Sequence, residues 1–253
     1  MPSECRLLDI SYDSVYRNLA LEEALITSHD SNEQPLTIRL WSNPPAVVAG
    51  RFQDIKLEAD TSMCQRYGIQ VARRFTGGGT VYHDQGNLNF TLIGREPVID
   101  LQDVQNRNIL ILKETLSQLG VKSTIAPPNS ISVNGRKISG ASAAVRHNCV
   151  LWHASLLVST DLETVSQVLS PSRENFSSNR VRSKWQPVTN LQTLLSRTVE
   201  VSEVKTQIIK TIENTFNIRV ERSRLSSSEE DITNYLNDLK YSTAAWNIEG
   251  IVQ

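Results

Sequence analysis

One stretch constrains this chain more than any other: Arg73-Arg74-Phe75-Thr76-Gly77-Gly78-Gly79-Thr80-Val81-Tyr82-His83-Asp84. It follows the strand-like run Ile69–Ala72 and leads into another, Asn87–Ile93, so it reads as a glycine turn between two strands. Three successive glycines admit backbone conformations closed to other residues and let the chain approach a ligand closely. Their N–H groups can form an anion-binding nest, with Arg73 and Arg74 adding fixed positive charge beside it. The stretch therefore predicts a phosphate or carboxylate site. The plainer reading is a glycine-rich hairpin with two solvated arginines, and the glycines alone do not separate the two.

Length and composition narrow the class. With 253 residues and a net charge of −1, the chain is long enough to bury the core of one large domain or two small ones. A near-neutral balance argues against a general nucleic-acid binder. No apolar run approaches the roughly 18 residues of a membrane helix, and Met1-Pro2-Ser3-Glu4-Cys5 lacks the basic and apolar regions of a signal peptide. A soluble, cytoplasmic protein is expected, with an organelle matrix also compatible. Cys5, Cys64 and Cys149 are odd in number and far apart, which fits reduced, buried thiols better than disulfides or a zinc site.

Periodicity and punctuation predict the elements. Cys5–Ile10 reads as a short strand, and Ser14 can cap a helix running through Ile26. Leu36–Trp41 alternates like a strand, and Asn43-Pro44-Pro45 turns the chain into Ala46–Gly50, which is expected to pair with it. Lys56–Tyr67 reads as a helix ended by Gly68, and Val104–Leu119 as another ended by Gly120. Strands are expected at Lys122–Ile125, Ser130–Val133 and Lys137–Ala144, the last two joined by the hairpin signal Asn134-Gly135. Val150–Val158 reads as a buried strand, and Asp161 caps a helix through Val168. Pro171–Gln186 reads as a polar loop carrying Arg173, Arg180, Arg182 and Lys184, long enough to suggest a functional role. Helices at Glu203–Phe216 and Ser228–Leu239 flank a strand-like Ile218–Val220. Strands crowd the middle and helices the ends, so the expected fold is α+β, with a mixed, largely antiparallel sheet flanked by helices.

Common nucleotide and hydrolase signatures are missing. Gly77-Gly78-Gly79 lacks the dinucleotide-binding spacing, no glycine loop ends in Gly-Lys-Ser or Gly-Lys-Thr, and no Gly-x-Ser-x-Gly elbow occurs. His29, His83, His147 and His153 make no metal-binding pair on one helix. A second informative stretch is Asn134-Gly135-Arg136-Lys137-Ile138-Ser139-Gly140-Ala141-Ser142-Ala143, with His153 beyond it. Further patterns are Asn18-Leu19-Ala20-Leu21-Glu22-Glu23-Ala24, Gly50-Arg51-Phe52-Gln53, Val188-Thr189-Asn190-Leu191 and the tail Lys240-Tyr241-Ser242-Thr243-x-x-Trp246. In this order, with Arg73 to Asp84, the chain resembles the catalytic domain of lipoate-protein ligase A, in the superfamily shared with biotin ligases and octanoyltransferases. Each motif alone is weak, and the set in register is strong.

The resemblance implies a single catalytic domain over 1–253, with a core of about 1–195 and a helical segment of about 196–253. It also implies a two-step reaction: lipoate is joined to AMP from ATP, then passed to a lysine of a carrier protein. Gly77, Gly78 and Gly79 would cradle the adenylate through backbone N–H groups, with Thr76 in the same loop, and Arg73 or Arg74 would pair with acyl or phosphate oxygens. Lys137 would bridge the lipoyl carbonyl and the phosphate, with Ser139, Gly140 and Ala141 beside it. Asn129 matches the Asn of the family's Asn-Asp pair, Ser130 replacing the acid. His83 either orients phosphate or metal-bound water or is a structural hydrogen-bonding group. Mg²⁺ is expected with ATP, and Asp84 is a candidate ligand. At His153 the family's following Gly becomes Ala154, so His153 is assigned support rather than proton transfer. The apolar acyl tail would pass among Leu40, Trp41, Val47, Leu151 or Leu157, most of which read equally as core.

Two alternatives remain at this point. An octanoyltransferase would take an acyl group from a thioester through a cysteine nucleophile; the expected position, Ala126-Pro127-Pro128-Asn129-Ser130, has none, and a rearranged Cys149/His153 pair is the substitute. A non-catalytic lipoate binder is the other. The implied carrier is a lipoyl domain of a 2-oxoacid dehydrogenase or the glycine-cleavage H protein. Only about sixty residues follow the core, too few for a full accessory domain, so a separate small accessory subunit is expected, unless the terminal segment packs on the core and suffices. No nucleic-acid or membrane partner is expected.

Overall fold

The computed structural model describes residues 4–31, 35–96, 99–169 and 179–251. In chain order it comprises β1 (Glu4–Leu8), α1 (Val15–Ser31), β2 (Thr37–Trp41), β3 (Ala46–Ala49), α2 (Thr61–Arg66), β4 (Gln70–Arg73), β5 (Val81–His83), β6 (Asn87–Arg95) and α3 (Leu101–Gln118). There follow β7 (Thr124–Ala126), β8 (Ser130–Val133), β9 (Arg136–Arg146), β10 (Cys149–Leu157), α4 (Leu162–Val168), α5 (Leu191–Leu195), α6 (Val201–Phe216), β11 (Arg219–Arg222) and α7 (Ser227–Leu236). Two π-helical turns, Asn237–Tyr241 and Ala245–Glu249, close the described chain.

The strands form a large sheet in the order β11-β1-β2-β6-β10-β9-β8-β7 and a small one in the order β4-β3-β5. In the large sheet β1 runs parallel to β2 and β11, and every other neighbouring pair is antiparallel. The fold is thus the mixed, largely antiparallel α+β arrangement that the residue pattern predicts. One face of the large sheet, with Leu40, Phe90 and Trp152, packs on α3 and α6 through Ile109, Leu112, Ile208 and Ile212. The other face, with Leu8, Ile93 and Leu151, receives Leu21 and Leu25 of α1. The far side of α1 places Leu19 and Ala20 against Trp41, Val48, Ala72, Tyr241 and Trp246. Buried on both sides, α1 is a central helix, which is why its polar Asn18 and Glu22 are also buried.

Local chemistry accounts for most boundaries. Ser14 accepts from Arg17 N at 3.3 Å, and Asp100, Asp161 and Asn190 cap α3, α4 and α5. Asn134 and Gly135 both adopt positive φ, 50° and 74°, as the two-residue hairpin requires. Three expectations change. β2 and β3 do not pair: Pro44 and Pro45 supply no N–H to a ladder, and the chain crosses there from the large sheet to the small one. The helix expected over Lys56–Tyr67 splits, because Asp60 accepts from Met63 N and starts α2 afresh after a 3₁₀ turn at Ile55–Leu57. The strand β5 inside the glycine motif was not expected, nor was α5. Of the polar loop expected at Pro171–Gln186, residues 171–178, including Arg173, lie outside the described residues. Among the described residues, no helix is long and apolar enough to cross a membrane.

Candidate active site

The glycine turn leaves β4 at Arg73 and enters β5 at Val81, so both ends are fixed on β3. Arg74 shapes it from within. Its buried guanidinium donates to the carbonyls of Gly77 at 2.6 Å, Gly79 at 2.8 Å and Val48 at 3.1 Å. Ser142 Oγ donates to Gly77 O at 3.1 Å from the neighbouring sheet. Carbonyls are thereby drawn inward, while the N–H groups of Gly77, Gly78 and Gly79 donate to no group among the described residues. Gly78 sits at φ +89°, in the left-handed region that favours glycine. Burial lowers the Arg74 guanidinium to about 10, which leaves it cationic at neutral pH.

A buried polar chain ties this turn to α1. Thr76 Oγ1 accepts from Arg74 Nε at 3.1 Å and lies 2.8 Å from His153 Nε2. Because the Glu22 carboxylate can only accept, the His153 ring proton is assigned to Nδ1, 3.2 Å from Glu22 Oε2, and Nε2 then accepts from the Thr76 hydroxyl. Glu22 also pairs with the buried Arg39 at 2.9 Å and accepts from Thr91 at 2.8 Å. Burial raises the Glu22 carboxyl, but the His153 bond and the Arg39 charge together leave it below its ordinary value. Arg39 donates to Asn18 Oδ1, Asn18 to Asn43, and Asn43 Nδ2 to His83 Nδ1 at 2.9 Å. Burial above all, with the Arg74 charge adding to it, pushes His83 down to about 3, so it is a neutral hydrogen-bonding ring.

Lys137 approaches from the other side. A register shift sets Ile131 opposite Ser139 but Ser132 opposite Lys137, and such irregularities re-aim side chains. The Lys137 backbone is clamped by Pro187 O at 2.8 Å and Thr189 N at 3.0 Å. Its side chain lies directly over Gly140, where a Cβ would come within 2.8 Å of both Cε and Nζ. Burial, and then the Arg74 charge, lower its pKa. Lys137, Ser139 and Gly140 line a cavity of about 670 Å³ whose other walls include Val81, Leu157 and Leu162. A cation and an apolar wall thus share one cleft, which Thr80 at the end of the glycine turn also lines, a combination suited to an acyl group ending in a carboxylate or phosphate.

Residues 14–213 match the lipoyl protein ligase A/B catalytic domain family. The chain belongs to that family. It is 31% identical to lipoate-protein ligase A subunit 1 of Thermoplasma acidophilum over 91% of each chain. The bipartite lipoate protein ligase of that organism, solved in a study of its archaeal lipoylation system with its E2 lipoyl domain, superposes with TM-score 0.88 at 30% identity, over 100% of this chain and 99% of that one. A lipoate-protein ligase A bound with ATP superposes with TM-score 0.85 at 30% identity, over 98% and 100%.

Within this lipoyl-ligase domain several expected residues lie elsewhere than the motif suggested. Arg73 does not face the cleft: its fully buried guanidinium engages backbone carbonyls of Gly50, Gln53, Trp246 and Ile248. Asp84 is taken up in a turn, Oδ1 accepting Gly86 N and Oδ2 accepting Asp161 N, both at 2.9 Å. Among the described residues no three His, Cys, Asp or Glu side chains are grouped to hold a metal. Asn129, just before β8, and Ala141 of β9 bond to one another, Asn129 Nδ2 to Ala141 O at 2.5 Å and Ala141 N to Asn129 O at 2.8 Å. Cys149 and His153 are four residues apart on one strand, about 13 Å, and Cys149 is buried against Leu8 and Leu21, so they cannot act as a pair. Of the apolar candidates only Leu157 lines the cavity, while Leu40, Trp41, Val47 and Leu151 are core.

Other residues gain a place. Gln53 is fully buried, with Oε1 accepting from Gly50 N at 3.0 Å and Thr80 Oγ1 at 2.8 Å, and Nε2 donating to Ser183 Oγ at 2.9 Å. Ser183 Oγ accepts Thr80 N at 2.9 Å, closing the far end of the turn. Gln53 and Ser142 stand in motifs visible in the sequence, but their partners are distant in the chain. Ser183 carries no local signal at all.

Proposed function

We propose that this chain is a lipoate-protein ligase, which activates lipoate with ATP to lipoyl-AMP and transfers the lipoyl group to a specific lysine of a carrier protein. The observation that carries this reading is the desolvated Lys137 side chain in a partly apolar cleft that Thr80, at the end of the glycine turn, also lines. A carboxylate is a poor electrophile. In the first step a lipoate oxygen attacks the α-phosphorus of ATP and pyrophosphate leaves; in the second the carrier amine attacks the carbonyl carbon, loses a proton, and AMP leaves. Both attacks build negative charge between acyl carbonyl and phosphate, where Lys137 and the amides of Gly77, Gly78 and Gly79 stabilise it. A lysine amine has a reference pKa of about 10.4, so the acceptor must lose its proton on entering the cleft. Arg74, Thr76 and His153 hold the turn in shape, Gly140 floors the Lys137 side chain, and Ser139 lines the cavity with it.

Asp84 is held in a turn by backbone amides on both oxygens, and among the described residues no group of three His, Cys, Asp or Glu side chains stands together to make it part of a resident Mg²⁺ site. Mg²⁺ arriving with ATP is expected on the phosphates, and no step is assigned to a protein-held metal. The carrier is proposed to be a lipoyl domain of a 2-oxoacid dehydrogenase or an H-type protein, with a separately encoded small subunit as helper. An acyl-thioester transferase needs a nucleophile at the cleft. Cys5, Cys64 and Cys149 are all buried, and none lines the cavity, which favours the ligase.

The test is lipoate-dependent ATP–pyrophosphate exchange by the purified chain, with and without the helper subunit. Exchange is expected, and Lys137→Ala should lower it by at least about 10²-fold with the fold intact. Acylation of carrier from an acyl thioester without ATP would replace this reading by the transferase. Neither activity, with lipoate still bound, would replace it by the binder.

A further inference from the structure

Among the described residues the strand β4 is an edge strand, with β3 on one side and no strand on the other. Its last residue, Arg73, directs its backbone N–H and C=O to that open edge, because Arg74 N makes the ladder bond to Ala49 O. Both edge groups are met by side chains of the C-terminal turn. Asn247 Oδ1 accepts Arg73 N at 3.0 Å, and Trp246 Nε1 donates to Arg73 O at 2.8 Å. The Arg73 side chain returns the contact, Nε donating to Trp246 O at 2.9 Å and Nη2 to Ile248 O at 3.1 Å. Two side chains thus replace a neighbouring strand, and one arginine locks around them.

The turn itself is anchored. Asn247 Nδ2 donates to Tyr241 O at 2.6 Å and Thr243 O at 3.0 Å, Tyr241 Oη donates to Glu23 at 2.6 Å, and Lys240 bridges Glu23 and the Trp246 ring. Arg180, from the segment leading to the cavity mouth, donates to Glu249 O at 2.7 Å and Gln53 O at 3.2 Å. Arg73 also holds the carbonyls of Gly50 and Gln53, on which the glycine turn rests, and its neighbour Arg74 holds the glycine carbonyls themselves.

We infer that Trp246 and Asn247 are positioning residues for the reaction: through Arg73 they set the shape of the glycine turn, so the C-terminal turn 245–250 works as part of the adenylate-binding wall. This rests on the ligase reading for its consequence in activity, while its structural content does not. Trp246→Phe removes the indole N–H together with the second ring but keeps one aromatic ring in the packed site, and Asn247→Ala removes the cap on Arg73 N. For each, the KM for ATP in pyrophosphate exchange should rise about tenfold, with kcat changed much less, since an amide donor set displaced before binding weakens ground and transition states alike. Amide hydrogen exchange of a peptide spanning residues 74–80 should quicken in both variants, while α3 and β10 stay protected. Tyr235→Ser, on the exposed face of α7, should match the wild type in both measurements.

Trp246→Phe is chosen because it should fold even if Asn247→Ala does not. Wild-type exchange protection at residues 74–80 in a folded Trp246→Phe variant, with an unchanged KM, overturns the inference. Should the wild-type chain show no pyrophosphate exchange, the ligase reading fails, and the hydrogen-exchange arm alone decides whether the tail sets the turn.

Discussion

Gly140 is the residue on which the Lys137 side chain lies. Without a Cβ, β9 lets the lysine stem run flat along the strand into the cavity, beside the Arg74 charge that helps lower its pKa. Adding a methyl at Gly140 would put it 2.8 Å from Cε and Nζ, closer than packed atoms tolerate. The clash is with the flexible end of a side chain, so the fold should absorb it and the ammonium should move. Gly140→Ala is expected to keep its melting temperature within about 3 °C of wild type. Pyrophosphate exchange should nevertheless fall on the order of 10²-fold, the effect of displacing a reacting-centre charge by about 1 Å. In a Lys137→Ala background the same change should cost nothing further, since both act on one group. Full activity in Gly140→Ala would show that the Lys137 position is not critical.

At the scale of elements, the site is a meeting of segments that each carry only part of it. The glycine turn hangs from β4 and β5, yet it rests on the turn after β3: a Cβ on Gly50 would stand 2.1 Å from Gly78 O and 3.0 Å from its carbonyl carbon. That neighbour is backbone, so it cannot simply swing away. Gly50→Ala should destabilise the protein by roughly 1–3 kcal/mol, an overpacking cost. The acyl-activation step should fall further than Gly140→Ala lowers it, because the amides move together. Denaturant unfolding beside pyrophosphate exchange checks this, and a variant with wild-type stability and exchange would remove Gly50 from the support of the turn.

The same segments show what could be read from the chain beforehand. The glycine turn, the Asn134-Gly135 hairpin and the caps at Ser14 and Asp161 depend on residues within a few positions of one another, so local pattern reveals them. Arg74 and Lys137 were legible as cations, but their surroundings were not. Arg73 has the same charge and motif position as a ligand-binding arginine, and only the return of Trp246, far along the chain, turns it into a structural lock. Asp84 reads as a free carboxylate in the motif, and its contacts with Gly86 N and, across the fold, Asp161 N were beyond the reach of local pattern. The non-pairing of β2 and β3 follows from which sheet each joins, a choice made by long-range partners.

Over the whole molecule, the C-terminal segment is built into the fold: β11 extends the large sheet beside β1, α6 packs on α3, and α7 is held by the ion pair of Arg6 with the fully buried Glu229. This closure makes the protein sensitive to acid. Burial lowers His29 to about 4 from 6.5, with the Arg6 and Arg95 charges adding to it and Glu229 opposing, and burial lowers His83 to about 3. Each imidazole therefore binds its proton more tightly in the unfolded chain. Their contribution to stability is fully present above pH 6.5 and is lost progressively as pH falls toward the folded values. At pH 5 the loss should be on the order of 2 kcal/mol for each histidine. Glu22 and Glu229, both held below their ordinary values despite burial, extend the loss in the same direction at still lower pH. Urea midpoints taken from pH 8 to pH 5 should fall steadily below pH 6.5. His29 lies away from the cavity, bonded to Thr37 at 2.7 Å, so His29→Gln can keep that contact without a titrating group. The variant should recover about 2 kcal/mol of the difference between pH 8 and pH 5, while its pyrophosphate exchange at pH 8 stays at the wild-type rate. An unchanged pH slope would mean that His29 takes up its proton without unfolding the helix–sheet contact it occupies.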